Sequence, residues 1–195
     1  MSSIQYNYLA KVLILGEYRV GKSSMVLRYV EDRFPGDYMA TIGANFLVKS
    51  VNLDTTDGKR VKVGLQIWDI GGHARSSQVG RVFFQGVSGA LLVYDLTRKD
   101  TLAKLPLWIE QLVKYSPDTR MYLVGNKCDL EDEREVTFEE GEKAKQDLGM
   151  ENFFETSAKT GDHIQKTFEH MAQYLVDSNK DKIIKQEVQN EDINN

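Results

Sequence analysis

The feature of this sequence that most constrains its fold is a glycine-rich loop between an apolar run and a helical pattern. Residues 16–23 read GEYRVGKS and match the pattern G-x-x-x-x-G-K-[ST]. The apolar run Leu9–Leu15 predicts a buried strand before the loop, and Lys22–Glu31 predicts a helix after it. In this order, loop N–H groups and a helix N-terminus can together cradle phosphate oxygens. The sequence therefore predicts a phosphate-binding loop rather than an ordinary glycine turn.

Two side chains of this loop have a predicted chemical role. Lys22 is expected to reach the β- and γ-phosphates of a nucleotide and to stabilise the charge that develops during reaction. The hydroxyl of Ser23 is expected to bind Mg²⁺. The loop therefore predicts a nucleotide as ligand and Mg²⁺ as its companion ion.

The remainder of the chain alternates short apolar runs with longer helical patterns. This alternation predicts an α/β fold, with a mostly parallel sheet and helices on both faces. Further strands are predicted at Ala44–Asp54, Arg60–Asp69, Gly89–Asp95, Met121–Gly125 and Asn152–Glu155, and further helices at Thr101–Tyr115, Thr137–Leu148 and around Ile164–Leu175. Asp57-Gly58 is a hairpin signal, so one of the six strands should be an antiparallel edge. One domain is expected over residues 9–177, between a short extension, residues 1–8, and a polar, flexible tail, residues 178–195.

Length and composition exclude several classes of protein. The 195 residues are 41% hydrophobic and 28% charged, which is typical of a globular domain. The net charge of −4 lacks the basic footprint of a nucleic-acid-binding protein. No apolar run approaches the ~20 residues that span a bilayer, and no secretory signal is visible. The single cysteine, Cys128, cannot form an intrachain disulfide. We therefore expect a cytoplasmic protein with no nucleic-acid partner and no transmembrane segment.

Two later segments indicate which base would bind. Residues 126–129 read NKCD and residues 156–159 read TSAK, each after a predicted strand, where an open α/β sheet forms its binding crevice. The carboxylate of Asp129 can accept from both N1–H and the 2-amino group of guanine. Adenine has no 2-amino group and presents an acceptor at N1, and such a mismatch of buried polar groups rejects a ligand. Taken alone, Asn126 and Asp129 could be turn residues, but their order after the phosphate loop favours a guanine site.

These motifs together resemble those of the Ras superfamily of small GTP-binding proteins, and of its Rab branch most closely. The resemblance covers Leu9–Val176, nearly the whole chain. Residues 69–72, DIGG, resemble the family's D-x-x-G motif, and residues 40–43, ATIG, resemble its switch-threonine segment. Residues 42–46 and 65–69 are similar to Rab segments. The resemblance implies that the α/β fold is the G domain of a P-loop NTPase.

The resemblance also implies which residues sense the metal and the γ-phosphate. Ser23 and Thr41 would bind Mg²⁺ through their hydroxyls, and Asp69 would hold it through water. The backbone N–H groups of Thr41 and Gly72 would contact the γ-phosphate. Mg²⁺ and GTP or GDP are therefore the expected cofactor and ligand.

Around the base, the resemblance implies a second group of contacts. The ring of Phe34 would pack on the guanine edge, the N–H of Ala158 would donate to guanine O6, and the stems of Lys127 and Lys159 would lie along the base. The full set of expected nucleotide-binding residues is Gly16, Glu17, Tyr18, Arg19, Val20, Gly21, Lys22, Ser23, Ser24, Phe34, Tyr38, Thr41, Gly72, Asn126, Lys127, Asp129, Ser157, Ala158 and Lys159.

A surface for protein partners is implied as well. Phe46, Trp68 and Phe83 would form the aromatic trio through which Rab proteins bind effectors. Plain core packing is the alternative for this trio, because aromatic residues at strand spacing usually point inward. An exchange factor, a GTPase-activating protein and effectors are expected to bind through Thr41–Phe46, Trp68 and His73–Phe83.

Three departures from the family pattern bear on function. His73 stands where the family usually has the Gln that orients the attacking water, which makes His73 the candidate catalytic residue beside Lys22. Tyr18 and Arg19 replace two glycines of Ras proteins. Tyr18 would crowd a partner's arginine finger and Arg19 would add positive charge, unless both point to solvent. No cysteine lies near the C-terminus, so either the protein is not prenylated or the given sequence stops short of a prenylation site. In this chain we expect no prenyl anchor, and recruitment to endomembranes through partners.

These observations leave three functions to compare. The leading one is a GTP/GDP switch that acts in vesicle trafficking and hydrolyses GTP slowly. The alternative is a scaffold that binds guanine nucleotide with negligible hydrolysis, which His73 and Tyr18 favour. A P-loop kinase or ATPase is disfavoured by Asp129 and by the lack of a second acceptor-site signature.

Overall fold

The computed structural model describes residues 6–35, 41, 43–55, 58, 60–72 and 80–179. Asp57 of the predicted hairpin turn lies outside these residues, and so do the predicted site residues Tyr38 and His73. Their expected roles therefore stay predictions.

A six-stranded sheet forms the centre of the described part of the chain. Its strands are β1 (Tyr8–Leu15), β2 (Ala44–Asp54), β3 (Arg60–Ile70), β4 (Gly89–Asp95), β5 (Arg120–Asn126) and β6 (Asn152–Thr156). Their spatial order is β2-β3-β1-β4-β5-β6. β2 runs antiparallel to β3 and forms one edge, whereas the other neighbouring pairs are parallel. The predicted fold class is therefore confirmed.

Helices cover both faces of this sheet. They are α1 (Lys22–Glu31), α2 (Gly80–Phe84), α3 (Lys99–Ala103), α4 (Leu105–Tyr115), α5 (Phe138–Asp147) and α6 (Ile164–Ser178). Successive side chains of a strand point to opposite faces. Val12 and Ile14 of β1 therefore join the core beneath α1 and α6, and Leu13 and Leu15 join the core beneath α2, α4 and α5. Burial on both faces explains why the second half of this strand, residues 12–15, is a continuous apolar run.

One predicted helix is wrong in its continuity. The pattern over Thr101–Tyr115 predicts a single helix, but the structure breaks it at Lys104 into α3 and α4. The cause is Pro106 in the first turn of α4, because proline lacks the N–H that would bond to Leu102 and its ring clashes with that carbonyl. Short elements were also missed, namely α2 and a 3₁₀ turn at Glu131–Glu133, since neither is long enough to show a period.

The topology determines where a ligand can bind. β1 has β3 on one side and β4 on the other, and the chain leaves β1 toward one face and β3 toward the other. Such a switch point opens a crevice at the carboxyl ends of the strands. The loops at residues 16–21, 71–72, 127–129 and 157–159 all follow strands at this edge. Among the residues described, no helix has the length and apolar character to cross a bilayer.

Candidate nucleotide-binding site

The loop after β1 has the tight backbone that the glycine pattern predicts. Gly16 and Gly21 have φ values of 144° and 96°, in the region that favours glycine. A Cβ on Gly16 would lie 2.1 Å from the carbonyl oxygen of Val93, so the loop can pass over β4 only with glycine here. The loop therefore curls tightly at the switch point, with the N-terminus of α1 immediately behind it.

Lys22 folds back over this loop. Its Nζ donates to the carbonyl oxygens of Gly16 and Glu17 at 2.8 and 2.9 Å, and the residue is only 6% exposed. Burial lowers the pKa of Lys22 to about 8, although the charges of Asp69 and Glu17 act to raise it. Its two hydrogen bonds go to neutral carbonyls, so a bound phosphate would stabilise this buried ammonium.

The three predicted metal ligands lie together, although they come from three separate segments. Ser23 Oγ lies 2.7 Å from Thr41 Oγ1 and donates to Asp69 Oδ2 at 2.5 Å. Thr41 Oγ1 is 3.3 Å from the same carboxylate oxygen. Within the described residues, the other oxygen, Oδ1, is buried without a hydrogen-bond partner.

This cluster fits a hard cation. Burial raises the pKa of Asp69, against the hydrogen bond from Ser23 and the charge of Lys22, which act to lower it. Two hydroxyls and a carboxylate are oxygen donors of the kind that Mg²⁺ prefers. A cation here would supply the partner that the buried carboxylate oxygen lacks.

The glycines after β3 lie against both the loop and the threonine segment. The N–H of Gly71 donates to the carbonyl of Gly43 at 2.8 Å. A Cβ on Gly72 would lie 2.6 Å from the backbone nitrogen of Tyr18. The end of β3 therefore contacts both the phosphate loop and the threonine segment.

Asn126 joins the loops at the base end to the phosphate loop. Its Nδ2 donates to the carbonyl of Val20 at 2.8 Å, and its Oδ1 accepts from Ala158 N–H at 3.3 Å and from Thr156 Oγ1 at 3.2 Å. Both ends of this buried amide are thus bonded to protein. Asn126, predicted as a nucleotide contact, is placed to brace three loops.

Asp129 is oriented by the loop after β6. Its Oδ1 accepts from Ser157 Oγ at 2.6 Å, and its Oδ2 lies 3.9 Å from Lys159 Nζ. The hydroxyl oxygen of Ser157 in turn accepts from the N–H of Thr160. The structure therefore brings together the two predicted base segments and fixes the carboxylate between them.

Comparison with known proteins agrees with this geometry. A sequence model of the Ras family matches residues 11–177. The chain belongs to the Ras family. GTP-binding protein ypt2 of Schizosaccharomyces pombe is 38% identical over 176 residues, which cover 90% of this chain and 85% of that protein. Ras-related protein Rab-3D of Homo sapiens is 39% identical over 171 residues, 87% of this chain and 75% of its own length. Ras-related protein Rab-8A of Gallus gallus is 38% identical over 164 residues, 84% and 76% of the two chains.

These relatives confirm the resemblance to the Rab branch, and the chain is a Rab-like small GTPase. Nothing among them favours the alternative of a scaffold without hydrolysis. None of them tests the assignment of individual residues to the nucleotide or the metal, which rests on the geometry.

The phosphate loop of this Rab-like protein has unusual side chains. Arg19 is exposed, has a φ of 63°, and places its guanidinium 5.3 Å from the centre of the Tyr18 ring. The Glu17 carboxylate accepts from the Trp108 indole N–H at 3.2 Å and lies 3.8 Å from Lys104 Nζ. The side chain of Glu17 is therefore turned toward α4, which leaves its backbone for any contact with phosphate.

The aromatic trio is contiguous and partly exposed. The ring centres of Phe46 and Trp68 are 4.8 Å apart, and those of Trp68 and Phe83 are 5.9 Å apart. Phe46 is 46% exposed, whereas Trp68 and Phe83 are half-buried and pack against the core. Trp68 and Phe83 are therefore partly packed in the core, as the alternative predicts, whereas Phe46 is not.

Phe34, the predicted base contact, is 44% exposed beyond the end of α1.

Sequence reasoning missed three residues that support the site, namely Arg28, Asp95 and Arg98. Arg28 of α1 donates to the carbonyls of Ala158 and Lys159 at 3.0 and 2.9 Å. Asp95, at the end of β4, pairs with Lys127 and Arg98. A carboxylate that ends a fully apolar strand at the binding edge was a usable signal for Asp95. Arg28 gives no comparable signal, because an arginine on a helix is usually a solvated residue.

Proposed function

We propose that this Rab-like GTPase is a guanine-nucleotide switch in vesicle trafficking, that it requires Mg²⁺, and that it hydrolyses GTP slowly. The observation that carries the proposal is the convergence of Ser23, Thr41 and Asp69 beside the buried ammonium of Lys22. These groups lie at the carboxyl edge of the sheet, the same edge that carries the braced carboxylate of Asp129. One end of the crevice thus suits a triphosphate and the other suits guanine.

The switch would act through the segments around Thr41 and Gly72. Gly72 lies against the phosphate loop, the hydroxyl oxygens of Thr41 and Ser23 are 2.7 Å apart, and Gly71 bonds to the threonine segment. A γ-phosphate would hold their N–H groups, and its loss would release both segments. GTP and GDP would therefore present different surfaces to partners.

In hydrolysis, water attacks the γ-phosphorus in line with the leaving oxygen. Lys22 and the loop N–H groups stabilise the charge that develops, and Lys22 is already positioned by its two carbonyl contacts. Mg²⁺, held by Ser23 and Thr41 and by Asp69 through water, would neutralise further charge on the phosphates. His73 would orient the water, in place of the usual Gln.

Partners are proposed on the same surface. An exchange factor, a GTPase-activating protein and effectors would bind through Thr41–Phe46, Trp68 and His73–Phe83. The support for this surface is that Phe46 is exposed, contacts the ring of Trp68 and closely follows Thr41 in the chain. These partners would recruit the protein from the cytoplasm to endomembranes.

The proposal is tested by identifying the nucleotide that copurifies and by single-turnover hydrolysis. We expect GDP or GTP with Mg²⁺, and a slow conversion of GTP to GDP that requires the metal. Equal affinity for ATP and GTP would contradict the assignment of the base loop. No conversion at all, even with activating proteins of the Rab class, would contradict hydrolysis while leaving guanine binding intact.

A further inference from the structure

A second set of contacts lies behind the site, around the buried carboxylate of Asp95 at the end of β4. Asp95 is 0% exposed. Its Oδ2 lies 2.5 Å from Lys127 Nζ and 3.1 Å from Arg98 Nε. Its Oδ1 accepts from the N–H and the hydroxyl of Thr97 at 2.9 and 2.7 Å. Burial acts to raise the pKa of Asp95, but hydrogen bonds from Lys127 and Thr97 hold it below its ordinary value. One anionic oxygen is therefore shared by two cations.

The two cations belong to different ends of the crevice. Arg98 Nη2 donates to the carbonyl of Tyr18 in the phosphate loop at 2.9 Å. Lys127 is part of the base loop, two residues before Asp129. The carboxylate of Asp95 thus lies between a support of the phosphate loop and a support of the base loop.

Both loops contain backbone that needs such support. Arg19, which follows Tyr18, has a φ of 63°, and Lys127 has a φ of 73°. Left-handed backbone is strained in residues other than glycine, and it persists only where surrounding contacts hold it. Arg98 holds the peptide next to one strained residue, and Asp95 holds the side chain of the other.

We infer that Asp95 is a positioning residue that links the phosphate loop to the base loop, through Arg98 on one side and Lys127 on the other. Loss of either cation breaks the link, so each loop loses its support from the other. Nucleotide release is then controlled by one carboxylate that contacts neither phosphate nor base. This inference rests on the nucleotide site proposed above and adds to it residues outside the motifs.

A double-mutant cycle on the release of fluorescent mant-GDP tests the link. The variants are Arg98→Met, Lys127→Met and the double variant, measured with Mg²⁺ and excess unlabelled GDP. We expect at least threefold faster release in each single variant. Because either change breaks the same link, the fold-acceleration of mant-GDP release in the double variant should be no more than one third of the product of the two single fold-accelerations. Both side chains are partly exposed, so neither change opens a cavity in the core.

Asp95→Asn provides the second arm, since the amide keeps the shape of the carboxylate but removes its charge. It should speed release at least tenfold. In that background the effects of Arg98→Met and Lys127→Met should become multiplicative, because the shared anion is gone. The matched control is Arg60→Met, which breaks an exposed pair with Asp54 on the far β2–β3 hairpin. Its effect should multiply with that of Lys127→Met in either background.

The outcomes separate this inference from the function on which it rests. Multiplicative or larger effects of Arg98→Met and Lys127→Met in the wild-type background would overturn the link. A purely structural role predicts that result, because independent losses of stability add. If the wild-type protein did not bind mant-GDP at all, the nucleotide site itself would be wrong. If Asp95→Asn does not fold, the double-mutant cycle between Arg98 and Lys127 still tests whether the two loops are linked.

Discussion

Gly72 lies so close to Tyr18 that a Cβ on Gly72 would stand 2.6 Å from the Tyr18 backbone nitrogen and 2.9 Å from its Cα. Backbone atoms cannot move aside as a flexible side chain can. The end of β3 and the phosphate loop are therefore in contact through a position that only glycine can occupy without displacement.

Gly72→Ala should consequently separate hydrolysis from GDP binding. The methyl group pushes the segment after β3 away from the loop, so the N–H expected to contact the γ-phosphate moves out of reach. We expect single-turnover GTP hydrolysis to fall at least tenfold, about 1.4 kcal/mol of barrier, while mant-GDP release changes less than threefold. Gly58→Ala is the control for a general loss of stability, because Gly58 lies on the remote hairpin, where its φ of 81° strains an alanine but no atom lies within 4 Å of the added Cβ. A normal hydrolysis rate in Gly72→Ala would contradict the contact.

Arg28→Met should loosen the base end of the site. Arg28 holds the carbonyls of Ala158 and Lys159, and hydrogen bonds from a charged donor contribute about 1.5–3 kcal/mol. We expect mant-GDP release to become roughly three to ten times faster, since part of that energy is recovered from water. Arg33→Met, an exposed arginine just beyond the same helix, should leave release unchanged. Equal effects of the two changes would show that loss of positive charge near the helix, and not loss of the two carbonyl contacts, causes the faster release.

Asp129→Asn should change the preferred base from guanine to xanthine. The carboxylate accepts from two guanine donors, whereas the amide can donate to the 2-oxo group of xanthine. GTP affinity should fall by about 10²-fold or more, and affinity for xanthosine triphosphate should rise, as measured by competition against a fluorescent nucleotide. Asp132→Asn, an exposed aspartate three residues later, should keep the preference for GTP. If the wild-type protein bound ATP more tightly than GTP, the role of Asp129 would be contradicted.

Thr41→Ala should discriminate between GDP and GTP. Its hydroxyl lies in the cluster with Ser23 and Asp69, and its N–H is expected to meet the γ-phosphate. Release of GDP should change less than twofold, while release of a non-hydrolysable GTP analogue should become at least fivefold faster. GDP and the analogue are compared on the same variant, so any loss of fold affects both. Equal acceleration of both would show that Thr41 does not sense the γ-phosphate.

His73→Gln combined with Tyr18→Gly should speed hydrolysis at least tenfold, about 1.4 kcal/mol of barrier. Neutral imidazole has one donor and one acceptor on opposite ring edges, and protonation near its reference pKa of ~6.5 removes the acceptor. Tyr18→Gly removes bulk from the loop and leaves the carbonyl that Arg98 holds. The measurement is single-turnover GTP hydrolysis. If His73→Gln alone lowers the rate, His73 is the working catalytic residue.

Continuous apolar strands and spaced motifs were enough to predict most of this architecture. β4 and the second half of β1, residues 12–15, are buried on both faces, so these two runs are apolar without interruption. The prediction of one continuous helix over Thr101–Tyr115 was wrong. The apolar period continues through Lys104, but the helical hydrogen bonds cannot continue through Pro106. The period of the apolar residues indicates which face of a helix is buried, but it does not show where a proline lacks the backbone N–H that the helix needs.

Within the site, the motifs and the family resemblance that they carry predicted the residues but not their supports. Ser23, Thr41 and Asp69 were named from separate segments, and the structure places them together. The bracing of loops by Asn126, and the contacts of Arg28 and Arg98, depend on distances across the sheet edge. Such distances follow from strand order, which no local pattern contains.

The carboxylate expected to hold the metal and the indole proposed to meet partners are neighbours in the chain. Asp69 directly follows Trp68, and adjacent residues of a strand project to opposite sides of the sheet. A small rotation of the peptide between them would therefore move both side chains at once. In the proposed switch, the metal site and the partner surface would be only one peptide unit apart, so no relay of packed side chains would be needed to connect them.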